Sequence, residues 1–255
     1  MRLFRALFAP SREMDALASA DREVSMPFEI RPVESLAELA EVGAMRQASY
    51  RLMSDPLQSI DELDFARHAI VLGAFDKQSQ RLLGTMRILV GSRGPSEIAR
   101  YVNLPTEWSQ SPFGEARHLC VPRSSRYAIA IKILLYKSIY QIATEQQCSS
   151  LVIATRRALQ GMYRLMHFDD VRQTPTTFIP DGTEHEHTVL GLSLDRLAER
   201  WGKDHEMKTF HRIFFQQTHP DLLLPSGGFV NPLTGAAIKE KGKSTLAPEV
   251  FSAAR

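Results

Sequence analysis

His68-Ala-Ile-Val-Leu-Gly-Ala-Phe75 and Leu82-Leu-Gly-Thr-Met-Arg-Ile-Leu-Val90 are two apolar runs, and the connection between them, Asp76-Lys-Gln-Ser-Gln-Arg81, is polar throughout. Runs of that length joined by a connection of hairpin size predict an antiparallel pair of strands. Toward the N-terminus, Phe28-Glu-Ile-Arg-Pro-Val33 alternates as a strand does. Ser35 with Glu38 three residues on makes a capping box, and Leu36, Leu39, Val42 and Met45 then recur at helical spacing, predicting a helix to about Met53. Toward the C-terminus, Gly and Pro fill residues 91–114, so a long loop with one helical turn near Ser96 to Val102 is expected. Glu115 to Val121 reads as a strand, Arg126 to Gln147 as an amphipathic helix, Leu151 to Thr155 as a strand and Ala158 to Met166 as a helix. A strand at His187 to Leu194 and helices over Leu194 to Trp201 and Met207 to Gln217 follow. This order predicts an α/β fold in which helices cover one central sheet.

The 255 residues are 44% hydrophobic, enough for one main domain, placed at 27–224 between an N-terminal extension at 1–26 and a flexible C-terminal tail at 225–255. Lys and Arg number 31 against 29 for Asp and Glu, with no dense basic block, which argues against a nucleic-acid partner. Cys120 and Cys148 lack metal or disulfide-framework spacing and fit a reducing compartment. Met1 to Phe8 is too short for a signal core, and no run reaches the roughly 18 apolar residues of a membrane span. A soluble cytoplasmic protein is therefore expected.

Residues that carry chemistry stand in a definite order. Arg46 and Tyr50 lie four apart on one helix face, Asp61-x-x-Asp64 sits in an acidic connection from Ser54 to Phe65, Gly84-Thr-Met-Arg87 follows in the hairpin, and Glu115 heads the next strand. From about Met45 to Phe168 this series resembles the N-acyl amino acid synthase and acyl-homoserine lactone synthase branch of the GNAT-like acyltransferases, the first group more closely. His219-Pro220-Asp221 after an aromatic helix is similar to that branch as well. The resemblance implies a mixed sheet flanked by helices in a GNAT-like α/β fold. It also implies an enzyme that moves a long acyl group from the phosphopantetheine of acyl carrier protein, or from acyl-CoA, to the α-amine of an amino acid, with no permanently bound cofactor and no metal.

Amide formation from a thioester needs a neutral amine, so a base must remove a proton. Glu115 is the expected base, since burial would raise its pKa toward neutrality; it could equally serve as an ion-pair partner for an arginine. Asp61, Asp64, Arg46 and Arg87, with Tyr50 and His118, would line the acceptor pocket if the resemblance holds, either ordering a loop or gripping the ammonium and carboxylate of an amino acid. Backbone N–H groups near Leu119 to Val121 are expected to face the oxyanion. Val121-Pro-Arg123-Ser-Ser-Arg126-Tyr127 leads into a helix whose N-terminus and arginines suit a phosphopantetheine phosphate. The absence of a glycine-rich loop here favours acyl carrier protein over free coenzyme A. Tyr163, matched to a GNAT-like position, is expected to protonate the leaving thiolate or to pack in the core.

The resemblance has departures. His118 stands where homoserine lactone synthases usually carry an arginine, with Arg117 before it, and Pro56 and Leu57 stand where their aromatic anchor would be. Both argue against S-adenosylmethionine as acceptor. Glu184-His-Glu-His187 offers ligand atoms, but adjacent residues in a strand seldom converge on one ion. Cys120, in an apolar strand, is a poor acyl-enzyme nucleophile. Phe210, Phe214 and Phe215 read as a helix face buried on the sheet or as walls of an acyl tunnel.

Overall fold

The structure, a computed structural model, describes residues 17, 22–50, 59–90, 96–106, 111–172, 176–180, 185–226 and 230–234. Eight strands form one sheet: β1 (Phe28–Pro32), β2 (Ala69–Asp76), β3 (Leu82–Val90), β4 (Phe113–Cys120), β5 (Ser150–Arg156), β6 (Asp169–Asp170), β7 (Thr176–Phe178) and β8 (His187–Ser193). The order across the sheet is β1-β2-β3-β4-β5-β8-β6, with β7 also paired to β8. Every pairing is antiparallel except β4 with β5. Helices α1 (Leu36–Tyr50), α2 (Ala128–Glu145), α3 (Arg157–Leu165), α4 (Leu197–Lys203) and α5 (Lys208–His211) cover it, the last running into a π-helical turn at Arg212–Gln216. The expected hairpin and the main helices are present. The two short strands before β8 were not expected, because so few residues carry no readable alternation.

Alternation along the strands divides the core into two layers. On one face Met86, Ile88, Ala116, Leu151 and Ile153 pack with Ile131, Leu134 and Leu135 of α2 and with Phe210 and Phe214. On the other, Val71 and Phe75 pack with Leu39 and Val42 of α1. Gly84 lets α2 approach: a Cβ there would stand 2.8 Å from the Ile131 Cγ2 and 3.0 Å from the Val121 Cγ2.

Two irregularities in the middle of the sheet position the site. Thr85 pairs with Cys120 and Arg87 with Arg117, so β4 advances one residue more than β3 and bulges at His118 and Leu119. His118 sits at φ 56°, a left-handed conformation that costs a non-glycine residue about 1–3 kcal/mol. The parallel ladder between β4 and β5 ends at Ala116↔Ile153, although β4 continues to Cys120 and β5 to Arg156. The two strands part beyond that point.

The described residues of both expected flanking segments make contacts with the fold. Val24 N donates to Thr218 O at 3.0 Å and Met26 N to an Asp221 carboxylate oxygen at 2.5 Å, and Leu17 is buried, so the expected extension at 1–26 joins the fold in part. In the expected tail, Leu233 is fully buried beside Val42 and Val71, and Asn231 Nδ2 donates to the carbonyls of Asp64 and Ala66 at 2.8 and 3.0 Å. Thr234 Oγ1 donates to Phe65 O at 2.8 Å as well, and so few contacts are below what composition reveals. Residues 235–255 lie outside the described residues.

Candidate functional site

Asp61 begins a short 3₁₀ turn, Glu62–Phe65, as its N-cap, and the reciprocal capping contact comes from Asp64. That turn delivers Asp64 to the inside of the sheet. Its carboxylate accepts from Arg46 Nη1 and Nη2 at 2.7 and 2.9 Å and from Arg87 Nη1 at 3.0 Å, and all three side chains are buried. Arg87 Nη1 also donates to Asp61 at 2.6 Å and Nη2 to Glu97 at 2.5 Å; Arg117 Nη2 reaches the other Glu97 oxygen at 2.7 Å. Three guanidiniums thus meet three carboxylates. Burial works against ionisation of Asp64, but Arg46 and Arg87 win and hold it well below the usual carboxylate range. Burial likewise opposes Glu97, and the His118 contact with Arg117 and Arg87 holds it low. His118 Nε2 lies 3.6 Å from Glu97 and 4.0 Å from Asp61. Burial and the guanidiniums of Arg87 and Arg46 push it down to about 4, so it is neutral at pH 7.

Ligand atoms of Asp61, Glu97 and His118 lie within 4.8 Å of one another, as in a metal site. The donor set does not suit a divalent ion, because Arg87 already occupies both carboxylates and would be driven against the cation.

A cavity of about 660 Å³ opens at the parting of β4 and β5. Arg46, Asp61, Glu97 and Arg117, which stand on the α1 side, line one end, and Met86, Ala116, Tyr136, Ile153, Met162 and Tyr163 on the α2 side line the other. It therefore passes through the sheet. His118, Leu119, Cys120 and Val121 of the bulged strand form the rim between the two chambers. Arg123 and Lys132 also line it, and α2 starts at Tyr127 without a side-chain cap, so positive charge gathers at that entrance. Burial and Arg123 together lower the Lys132 pKa.

The Tyr163 hydroxyl meets that of Tyr136 at 2.7 Å, and burial pushes its pKa up against that hydrogen bond. Arg46, Asp61, Arg87, Asp64 and His118 meet as the sequence suggested, and every terminal nitrogen of Arg46 and Arg87 already donates within the chain, to the Ser59 carbonyl and to the carboxylates of Asp61, Asp64 and Glu97. Tyr50 ends α1, and its side chain lies outside the described residues. Arg126 is exposed beside the Tyr127 ring, 5.5 Å from its centroid.

Glu115 has the expected burial and raised pKa, but a loop stands between it and the cavity. It is fully buried and outside the cavity wall, accepting from Ser96 Oγ at 2.5 Å and from Ile98 N at 3.1 Å, with its pKa raised by burial. A strand neighbour two residues from Arg117 shares its face, yet the 96–98 loop covers it. Glu97, held by that loop, lines the cavity instead. Sequence reasoning missed Glu97, Tyr136 and Lys132. Glu97 lies in the long loop expected over 91–114, and loops of that length often line sites, while Lys132, Tyr136 and Tyr140 repeat every four residues along one face of α2.

No family model and no curated protein sequence matches the chain. Among solved structures, FeeM, an N-acyl amino acid synthase from uncultured soil microbes, superposes with a TM-score of 0.54 at 15% identity, over 68% of this chain and 93% of that one. The fold is GNAT-like. A CoA-dependent acyl-homoserine lactone synthase, BjaI, with SAM and isopentyl-CoA, superposes at 0.51 and 12% identity over 83% of this chain and 99% of its own. This GNAT-like chain carries no helix, among its described residues, long and apolar enough to cross a membrane.

Proposed function

We propose that the chain is an N-acyltransferase that moves a long acyl group from the phosphopantetheine thioester of acyl carrier protein to the α-amine of an amino acid. The observation that carries this is the cavity through the sheet, charged on one side and apolar on the other, with the bulged strand at its waist. An acyl chain suits the apolar chamber and a zwitterion the charged one, so thioester and amine would meet at the parting of the strands. The fold shared with FeeM supports the same reading.

Arg123 and Lys132 with the start of α2 would hold the phosphate, and Arg126 would face the carrier. The amine attacks the thioester carbonyl, and its proton passes to His118, which is neutral at pH 7; Glu97, 3.6 Å away, offsets part of the penalty that burial, Arg87 and Arg46 place on the imidazolium. Collapse of the tetrahedral adduct breaks the carbon–sulfur bond, and Tyr163 protonates the departing thiolate. Backbone N–H groups of the bulge would steady the oxyanion. Glu115 acts as a positioning residue that holds Ser96 and Ile98 and so aims Glu97.

The test is to incubate the purified protein with long-chain acyl carrier protein, acyl-CoA, an amino-acid pool and S-adenosylmethionine, and to read products by mass spectrometry. An N-acyl amino acid is expected, reduced roughly 10²-fold or more in Tyr163→Phe. Glu115→Gln should lower the rate while leaving the pH profile in place; loss of the acid limb would return the base to Glu115. The likeness to BjaI supports a second reading, lactone formation from S-adenosylmethionine, which methylthioadenosine among the products would establish. Carrier binding with no amide from any acceptor would mark a silent binding module.

A further inference from the structure

Since Arg46 and Arg87 donate every terminal nitrogen within the chain, the grip on an acceptor has to come from other cations that line the cavity. Arg100 is taken by Glu62 at 2.6 Å, and Arg123 and Lys132 belong to the entrance at the start of α2. Among the described residues, Arg117 and Arg156 remain. The Arg117 side chain is 10% exposed; its Nη2 donates to Glu97 at 2.7 Å, while Nη1 is buried and meets no acceptor among the described residues. A buried guanidinium N–H is costly to leave so. Arg156, the last residue of β5, makes no ion pair or side-chain hydrogen bond among the described residues.

The two arginines share a face of the sheet. Glu115 is level with Val152 in the parallel ladder, so by alternation Arg117 and Arg156 both point toward the α1 side, one on each strand where β4 and β5 part. Arg156 pairs across to His187 of β8, which lines the cavity too. Burial lowers the His187 pKa, and the charges of Arg117 and Arg156 lower it further, so both guanidiniums act at one place and that imidazole is neutral at pH 7. Arg46, Arg87 and Arg117 are matched by Asp61, Asp64 and Glu97, which leaves the charge of Arg156 over. Like charges on neighbouring strands repel, and an anion seated between them turns that repulsion into attraction.

The place of that anion relative to the base is set by Glu97. One of its oxygens takes Arg117 Nη2, and the other lies 3.6 Å from His118 Nε2. In an α-amino acid one carbon joins the amine to the carboxylate, so a carboxylate on Arg117 brings the amine within reach of His118. We propose that Arg117 and Arg156 hold the carboxylate of the acceptor and so restrict this protein to acceptors in which a carboxylate stands next to the amine. The inference rests on the acyltransferase reading for the role of His118, and on the two arginines for the anion. Guanidinium forks suit a planar carboxylate, and each charge-assisted contact is lost when the acid becomes an amide.

The experiment offers three pools to the full chain: the proteinogenic amino acids, their α-amides and the matching decarboxylated amines. Binding is read without donor by ligand-observed NMR, and turnover with long-chain acyl carrier protein by mass spectrometry, in wild type, Arg156→Gln, Arg117→Gln and Arg117→Lys. Wild type should prefer the acid to its own amide and amine by about 10- to 100-fold. Arg156→Gln should cut that preference by about tenfold through the acceptor KM, Arg117→Gln should abolish it, and Arg117→Lys should restore part of it. Arg117 also holds Glu97, so Arg156→Gln decides the matter if Arg117→Gln fails to fold. An undiminished preference in Arg156→Gln, with a wild-type circular dichroism spectrum and cooperative melting, would overturn the proposal. So would a wild type that takes amides as readily as acids or binds neither, or a rise in the KM of the acyl donor in place of the acceptor. Acid-selective binding that is lost in Arg156→Gln while nothing is acylated would sustain this inference and remove the acyltransferase reading. Amide formation whose acid preference ignores both arginines would do the reverse.

Discussion

Asp64→Asn tests whether the buried charge cluster holds the site together. Asp64 is wholly buried, accepts two hydrogen bonds from Arg46 and one from Arg87, and those side chains are 1% and 0% exposed. An amide keeps the shape but removes the charge and turns an N–H₂ toward one guanidinium. Breaking a buried pair from one side costs about 3–5 kcal/mol, a large part of a total that lies near 5–15 kcal/mol. At about 2–4 °C per kcal/mol in a chain of this size, the melting temperature should fall by about 6–20 °C. Asp61→Asn is the internal comparison: its side chain is 38% exposed and Arg87 keeps Asp64 and Glu97, so about 1 kcal/mol or less is expected.

The sign with pH follows from the depressed Asp64 pKa. The folded carboxyl titrates below its unfolded value of 3.8, so its stabilisation is complete above that pH and is lost as pH falls below it. Urea unfolding at pH 7 and 5 should show the same gap between wild type and Asp64→Asn, and the gap should narrow below pH 3.8. A loss under about 1 kcal/mol at pH 7, or a gap that persists unchanged in acid, would refute the reasoning.

Two further outcomes are expected. His118, pushed from 6.5 to about 4, should stay neutral to well below pH 6, so its ring proton shift in NMR should titrate near 4, and its contribution to stability, present above pH 6.5, should drain away between there and about 4. A midpoint near 6.5 would mean that neither burial nor the arginines act on it. Lys137 is fully buried in α2 and donates to the carbonyls of Ile213 and Gln217 at 2.8 and 2.6 Å, tying down the π-helical turn. Lys137→Met should cost about 2 kcal/mol or more through those stranded acceptors, measured in urea, and a neutral result would show that the turn stands without it.

The apolar hairpin at 68–90, the alternation at 28–33 and the helical spacing after Ser35 were legible because each obeys a period that burial on one face imposes within a few residues of chain. Arg46, Asp61, Asp64 and Arg87 could be marked as one group because charge is conspicuous against an apolar background. Their roles were not legible. Whether an arginine faces a substrate or a carboxylate of the same chain depends on which side of the sheet each strand turns and on how deep the 3₁₀ turn at 62–65 carries Asp64.

Glu115 shows the limit most clearly. Its identity and strand position suggested a base, but a loop from nearly twenty residues earlier covers it and offers Glu97 to the cavity in its place. Composition likewise set residues 225–255 apart as a tail, while Asn231 and Leu233 return to the backbone of Asp64 and the core beneath α1. The sequence by itself determined the longer elements, their order and the charged residues available to a site. The tertiary structure decided the bulge at His118, the parting of β4 from β5 and the passage through the sheet, since each arises from pairings between distant segments that no local period encodes.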